Sequence, residues 1–384
     1  MDRKLWLIFL VIFIDSLGFG LVIPTLPFLA TKFGANAVTI GLLMATYPFF
    51  QFFGSPILGK LSDKYGRKPF LSLSLVGSAL GYGLIVLSQS IFAFFLSRSI
   101  SGLTGGSISV AQAYITDVTE GKERTHAIGL MGAAFGLGFI FGPLIGGILS
   151  EFGLVAPFAF AGALALSNAI LIMLIVPEPK KHNIRKNKKP WNMKTFREIM
   201  QPRIVAHLIV LLFFVSLAAS LLQGVFPLFA IQVFKWSAKV TGIFFAYIGV
   251  MLVFSQGFLL KRLLTHMSEK RLVQIGLFLL SIGFLFFYKE HFVYLGATFV
   301  AVSYGILIIS LQSEISSHSD PDEQGVVLGV TQGVNAAAQA IGPALGGYLF
   351  GRLFLQAPFY FGFAIVFLCG IVSIFVYRRH SLAK

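Results

Sequence analysis

Two ionisable residues stand inside long apolar runs of this 384-residue chain. Asp15 follows the unbroken apolar stretch Leu5 to Ile14, and Arg98 lies within the run that starts at Ile91. If each run is a helix, Asp15 lies ~15 Å from the start of its span and Arg98 ~10 Å from the outer end of its own. A charge at such depth in hydrocarbon costs about 2.5–3.5 kcal/mol even on the most lenient scale. Each must therefore be paired, neutral or wetted. A carboxylate that can be charged or neutral can carry a proton, so Asp15 reads as a proton-coupling group or a substrate anchor; the alternative is an inert structural hydrogen-bonder. Arg98, Gly102, Gly105, Ser109, Gln112 and Thr116 recur at spacings of three and four. On a continuous helix they form one small or polar face, as where a helix lines a cavity.

The elements that must hold these residues follow from composition. Hydrophobic residues make up 56% of the chain and charged residues 12%, about half the ~25% charged share of a soluble domain. Mean hydropathy is +0.84. Neither a soluble globule nor a disordered chain has this composition. The class expected is an all-α, polytopic membrane protein. Apolar runs place twelve spans near 5–29, 38–59, 70–88, 91–116, 126–150, 156–176, 204–232, 238–260, 271–288, 292–314, 324–350 and 357–377. The first is too long for a signal-peptide core and reads as a retained helix. With both termini cytoplasmic, 24 of the 30 Lys and Arg residues fall in cytoplasmic segments, five in outer loops, and one, Arg98, inside a span. That asymmetry sets the orientation. It also explains the net charge of +15 without a nucleic-acid partner. Lipid headgroups are an alternative ligand for the basic stretch 180–203.

Several chemistries are not expected. The single Cys369 forms no internal disulfide, and the seven His show no metal-ligand spacing. No phosphate-binding G-x-x-x-x-G-K-[ST] loop and no Ser-His-Asp arrangement stands out. The expectation is a protein that is not an enzyme and has no cofactor and no metal.

The two halves align at an offset of 200 residues. Pro27-Phe28-Leu29-Ala30 matches Pro227-Leu228-Phe229-Ala230, Gln112 matches Gln312, and Gly142-Pro143-x-x-Gly146-Gly147 matches Gly342-Pro343-x-x-Gly346-Gly347. The organisation expected is two pseudo-symmetric six-helix bundles, 1–176 and 204–384, joined by a basic cytoplasmic linker, 177–203. Such repeats are how secondary transporters build a midplane site open to alternate sides.

Two motifs carry a resemblance. Gly59-Lys60-Leu61-Ser62-Asp63-Lys64-Tyr65-Gly66-Arg67-Lys68 resembles the G-x-L-x-D-x-x-G-R-K signature of the major facilitator superfamily, in the place after the second span where that family carries it. The glycines Gly129, Gly138, Gly142, Gly146 and Gly147, with Pro143, fit its antiporter motif. With Asp15 to Pro27, Leu73 to Ser78 and Arg98 to Gly105, the first half is similar to the twelve-helix drug:proton antiporters, nearest their tetracycline/proton branch. The resemblance implies the major facilitator fold and a gating role for the 59–68 loop, with Asp63 facing the start of the eleventh span and Arg67 paired with Asp117. It implies that Arg98 takes part in proton exchange, and adjacent first and fourth spans make a direct Asp15–Arg98 pair feasible. Two departures stand out: Asp322 and Glu323 lie where Asp63 should face a helix start, and Gly81 occupies the place of an acid in the tetracycline branch.

Softer signals lie on other spans. Tyr47, Gln51, Ser109, Gln112, Gln223, Tyr247, Tyr304, Gln312 and Asn335 could line a substrate cavity, or act as polar glue between helices. The function expected is proton-coupled antiport exporting small amphipathic organic compounds, by a monomer in the plasma (inner) membrane. The alternative is an importer or facilitator of a small metabolite or siderophore on the same fold.

Overall fold

A computed structural model describes residues 3–88, 90–179, 203–319 and 324–382. In chain order the helices of more than one turn are α1 (Arg3–Lys32), α2 (Ala37–Tyr65), α3 (Arg67–Leu87), α4 (Ile91–Leu103), α5 (Ser107–Val118), α6 (Gly121–Leu149), α7 (Ala156–Ile175), α8 (Arg203–Phe229), α9 (Ala238–Phe254), α10 (Leu260–Leu264), α11 (Glu269–Leu285), α12 (Glu290–Ser317), α13 (Gln324–Arg352) and α14 (Ala357–Leu382). No strand occurs among the described residues. Helix satisfies every backbone group within its own segment, which hydrocarbon demands.

Among the described residues, eleven helical segments are long and apolar enough to cross a bilayer, α4 with α5 and α9 with α10 each counting as one. The twelfth expected span, α13, is a 29-residue helix whose Gln332, Asn335, Gln339 and glycines lower its hydropathy. Large apolar side chains point outward throughout, with Leu87 85% exposed, Phe152 81% and Leu174 78%, as suits a lipid-facing surface. The fourth span is not the single helix expected over 91–116. It stops at Leu103 and restarts at Ser107, because Gly105 and Gly106 follow Thr104 and the amides of Gly105 and Gly106 bond only to the nearby Gly102 and Thr104 carbonyls. The second span is longer than expected and carries Asp63 and Lys64 on α2 itself. Much of the basic linker, residues 180–202, and residues 320–323 with Asp322 and Glu323 lie outside the described residues.

The described residues group into two compact units, one drawn from Met1–Ile184 and Phe226–Gly249, the other from Arg185–Val225 and Val250–Lys384. In the first, α1 and α6 touch through glycine. A Cβ at Gly138 would lie 2.5 Å from Ser16 Cβ, one at Gly142 would lie 2.8 Å from Gly20 Cα, and one at Gly146 2.8 Å from the Leu21 carbonyl. Small residues permit this approach, and close packing replaces the hydrophobic drive that lipid removes. On its other side α6 meets the start of α9: a Cβ at Gly147 would lie 3.0 Å from the Lys239 carbonyl, and Lys239 pairs with Glu151 at 3.0 Å. Around the start of α1 lies an apolar core of Leu5, Ile8, Ile12, Leu71, Tyr114 and Ile172.

The second unit repeats the α1–α6 contact between α8 and α13. A Cβ at Gly342 would meet Ser220 Oγ and lie 2.9 Å from Leu221 N; one at Gly346 would lie 2.5 Å from Val225 Cγ2. Gly129 and Gly329 have open space around them and make no such contact.

Gly138→Leu is therefore expected to force α1 and α6 apart and to cost about 1–3 kcal/mol, whereas Gly129→Leu stays within about 0.5 kcal/mol of the parent. Thermal melting of the two purified variants in the same detergent checks this.

Candidate functional site

The break in the fourth span builds the surroundings of Asp15. Close packing on α2 fixes the break: a Cβ at Gly102 would lie 2.5 Å from the Tyr47 carbonyl, and one at Gly106 2.8 Å from Leu58 Cδ1. Ser107 thereby becomes the first residue of α5, and its hydroxyl donates to Asp15 Oδ2. Gly106 gives the start of α5 no side-chain cap, and a helix start carries the positive end of the helix dipole. Asp15 itself is half-buried.

Arg98 is only 3% exposed. Its guanidinium lies over two aromatic faces, 5.3 Å from the Tyr47 ring centre and 5.7 Å from that of Tyr82. Its Nε and Nη2 have no hydrogen-bond partner. The direct Asp15–Arg98 pair that adjacent spans make feasible is not formed: Asp15 bonds Ser107, and the ion pairs among the described residues do not include Arg98. Both charges nevertheless act on the Tyr47 and Tyr82 hydroxyls, so the four side chains form one electrostatic neighbourhood. Gln51 holds Tyr47 in place, donating to its hydroxyl at 3.2 Å and to the Gly105 carbonyl at 2.9 Å. Gly81 has no room for an acid, since a Cβ there would collide with Ser101 Oγ and lie 3.0 Å from the Ser97 carbonyl.

The 59–68 loop forms a second polar centre. Arg67 pairs with Asp63 and, at 2.8 Å, with Asp117, and donates to Ser62 Oγ at 2.8 Å. Glu178 closes the cluster: one carboxylate oxygen accepts from the Arg67 amide and the other from the Lys68 amide at 3.0 Å. This caps the start of α3, where the helix leaves amides unpaired. Gly66 makes the turn at φ +108°, a conformation that L side chains rarely adopt. Gly59 lies within α2 with open space around it. The eleventh-span partner expected for Asp63 falls on residues 320–323, outside the described residues.

The nine expected cavity residues are divided between the two units. Tyr47 and Gln51 belong to the Arg98 neighbourhood. Ser109 bonds Ser55 at 2.6 Å, and Gln112 is exposed, so the face expected from Arg98 to Thr116 does not survive the break at 104–106. Tyr247 is half-buried in the first unit. Gln223, Tyr304, Gln312 and Asn335 belong to the second, where Ser216 Oγ and Asn335 Oδ1 are buried without a partner. Glu314, at the end of the tenth span, is a buried acceptor from the Tyr377 hydroxyl at 2.6 Å. Its equivalent in the first unit is Tyr114, which donates to the Pro177 carbonyl at 2.8 Å. These are matching ties between residues 63 apart in each half.

Sequence reasoning missed Tyr82, Ser107, Ser62 and Glu178. A lone Tyr or Ser on an apolar helix carries no pattern. Glu178 offered one signal, as an acid between two prolines directly after the sixth span. Glu178→Ala is expected to free the α3 amides and to speed hydrogen exchange across residues 66–70 by about 5- to 30-fold, as read by peptide-resolved mass spectrometry, with the α1–α6 contact unaffected.

Comparison with known proteins follows the same lines. The family model described as Major Facilitator Superfamily matches residues 8–343 and 257–384. The chain is 31% identical over 327 residues to a class C tetracycline resistance protein of Escherichia coli, covering 82% of each chain. It is 30% identical over 329 residues to multidrug resistance protein 2 of Bacillus subtilis (strain 168), covering 83% of this chain and 82% of that one. Its fold matches a bacterial homologue of the human lysosomal transporter Spinster, in an inward-facing and occupied conformation, with TM-score 0.82, 15% identity and 98% coverage of both chains. On its motifs, its helices and these matches, the chain is a multi-pass membrane transporter and belongs to the major facilitator superfamily.

Proposed function

We propose that this transporter exports small amphipathic organic compounds in exchange for protons, by alternating access. The observation that carries this reading is the site in the first unit: a half-buried carboxylate, Asp15, held only by Ser107, and a buried guanidinium, Arg98, with no counter-ion. Asp15 binds and releases the coupling proton. Arg98 sets its proton affinity through the field they share across Tyr47 and Tyr82. The tetracycline resistance and multidrug resistance proteins that it resembles over four-fifths of its length support export over import.

The remaining parts follow the family pattern. The Arg67 cluster gates the cytoplasmic side, where the α2–α3 turn, Asp117 and Glu178 meet. The two halves, 1–176 and 204–384, work as repeats joined by the 177–203 linker; the α1–α6 and α8–α13 glycine contacts at the same offset support this. The Lys and Arg distribution favours cytoplasmic termini and the inner membrane. The protein works as a monomer.

The test uses inverted membrane vesicles with an acid interior and a pH-sensitive dye. Lipophilic cations, zwitterions and tetracycline are added in turn. Wild type is expected to release protons with some of these compounds, and Asp15→Asn to fall to the level of vesicles lacking the protein. A folded, inserted wild type that stays silent with every compound overturns the export reading. Proton-linked accumulation on the cytoplasmic side would mark an importer instead.

A further inference from the structure

Among the described residues of the first unit, Arg98 is the one buried charged side chain. A guanidinium carries five N–H donors in one plane. Two rings cover its faces, Tyr47 and Tyr82, but ring faces accept nothing from in-plane N–H groups. The unpartnered atoms are Nε and Nη2. These two lie on the same edge and point their hydrogens in parallel, which is the edge that grips a planar oxyanion with two bonds. One turn along α4, the Ser101 hydroxyl is also buried and unpartnered. The half-buried Asp15 accepts from Ser107 and forms no ion pair with Arg98. The position matching Arg98 in the second half is Thr298, so the repeat itself has no need of a cation there.

We propose that the Nε/Nη2 edge of Arg98 is the anion subsite for the exported compound, and that this compound is amphoteric, bearing a planar oxyanion such as a carboxylate or enolate together with an ammonium group. This rests on the export reading above. The second half of the proposal follows from coupling. Exchange requires that the proton leave when the compound binds. An oxyanion on Arg98 alone adds negative charge beside Asp15 and so favours keeping the proton there. An ammonium placed at Asp15 does the opposite, because the two positive charges compete for one carboxylate. A compound with both groups satisfies Arg98 and displaces the proton in one binding event.

The test uses the purified full-length protein and three matched probes. They are 6-(aminomethyl)-2-naphthoate, its carboxamide, which keeps only the ammonium, and 2-naphthoate, which keeps only the carboxylate. Wild type is expected to bind the zwitterion about tenfold or more tightly than the carboxamide. Arg98→Gln should bring the two to equal affinity, and Arg98→Lys should fall between, keeping the charge but not the fork. A purely structural role for Arg98 would weaken all probes alike. Binding of the two ammonium probes should release a proton in weakly buffered detergent, and 2-naphthoate should release none; Asp15→Asn should release none with any probe. If Arg98→Gln does not fold, the wild-type ranking decides alone. The proposal falls if wild type binds the carboxamide as tightly as the zwitterion, if it binds no zwitterion at millimolar concentration, or if folded Arg98→Gln keeps the preference. In the vesicle assay, proton release with lipophilic cations but not with the zwitterion sinks this proposal and leaves export standing. Arg98-dependent binding with no proton movement for any compound sinks export and leaves the anion subsite.

Discussion

The close approach of α1 and α6 is the contact on which the site depends. Lipid gives helices no hydrophobic reason to associate, so they adhere only where their surfaces fit. Gly138, Gly142 and Gly146 remove side chains along one stripe of α6, and α1 settles into it at Ser16, Leu17, Gly20 and Leu21. Asp15 immediately precedes that contact. Its carboxylate therefore cannot drift along or around α1 without opening the glycine seam. The partner, Ser107, is held just as firmly, since α5 starts where α4, pressed against α2 by Gly54 and Gly102, runs out of helix.

The two arginines of the first unit show how much a partner decides. Arg67 lies near the C-terminal ends of α2 and α5 with two carboxylates and a serine on its guanidinium and a third carboxylate on its backbone amide. Its charge is consumed in holding the α2–α3 turn. Arg98 is more deeply buried and has aromatic faces around it but no acceptor on its Nε/Nη2 edge. A buried charge without a partner is unfavourable, and the surrounding fold must offset it. In the export reading proposed above, that charge stays available to the exported compound.

The repeat extends below the motifs that first reveal it. Gly342 meets Ser220 and Leu221 as Gly142 meets Leu17 and Gly20. The tie from Tyr377 to Glu314 stands where Tyr114 bonds Pro177, with donor and acceptor exchanged between the halves. The charged site, by contrast, has no second copy: Val215 and Thr298 stand opposite Asp15 and Arg98. Packing is shared by both halves, while the Asp15 and Arg98 positions carry charge in only one.

Fold class, the number of spans, the repeat and the charged loop were legible in the residues, because each is a local or periodic property. Apolar runs of span length, glycines at a fixed offset and a G-x-L-x-D-x-x-G-R-K string survive without knowledge of any contact. Asp15 and Arg98 were also visible, since a charge inside an apolar run is conspicuous wherever the helix lies. What they touch was not. Depth along two helices suggested a pair, but rotation about each axis and the break at Thr104–Gly106 decide reach, and they gave Asp15 to Ser107 and left Arg98 between Tyr47 and Tyr82. Glu178 reached the α3 amides from 110 residues away. Composition and spacing determine which residues must be inside the membrane and which of them are costly there. Only the tertiary structure decides which of those costs are met by a neighbour, because that depends on directions of approach that a linear pattern does not carry.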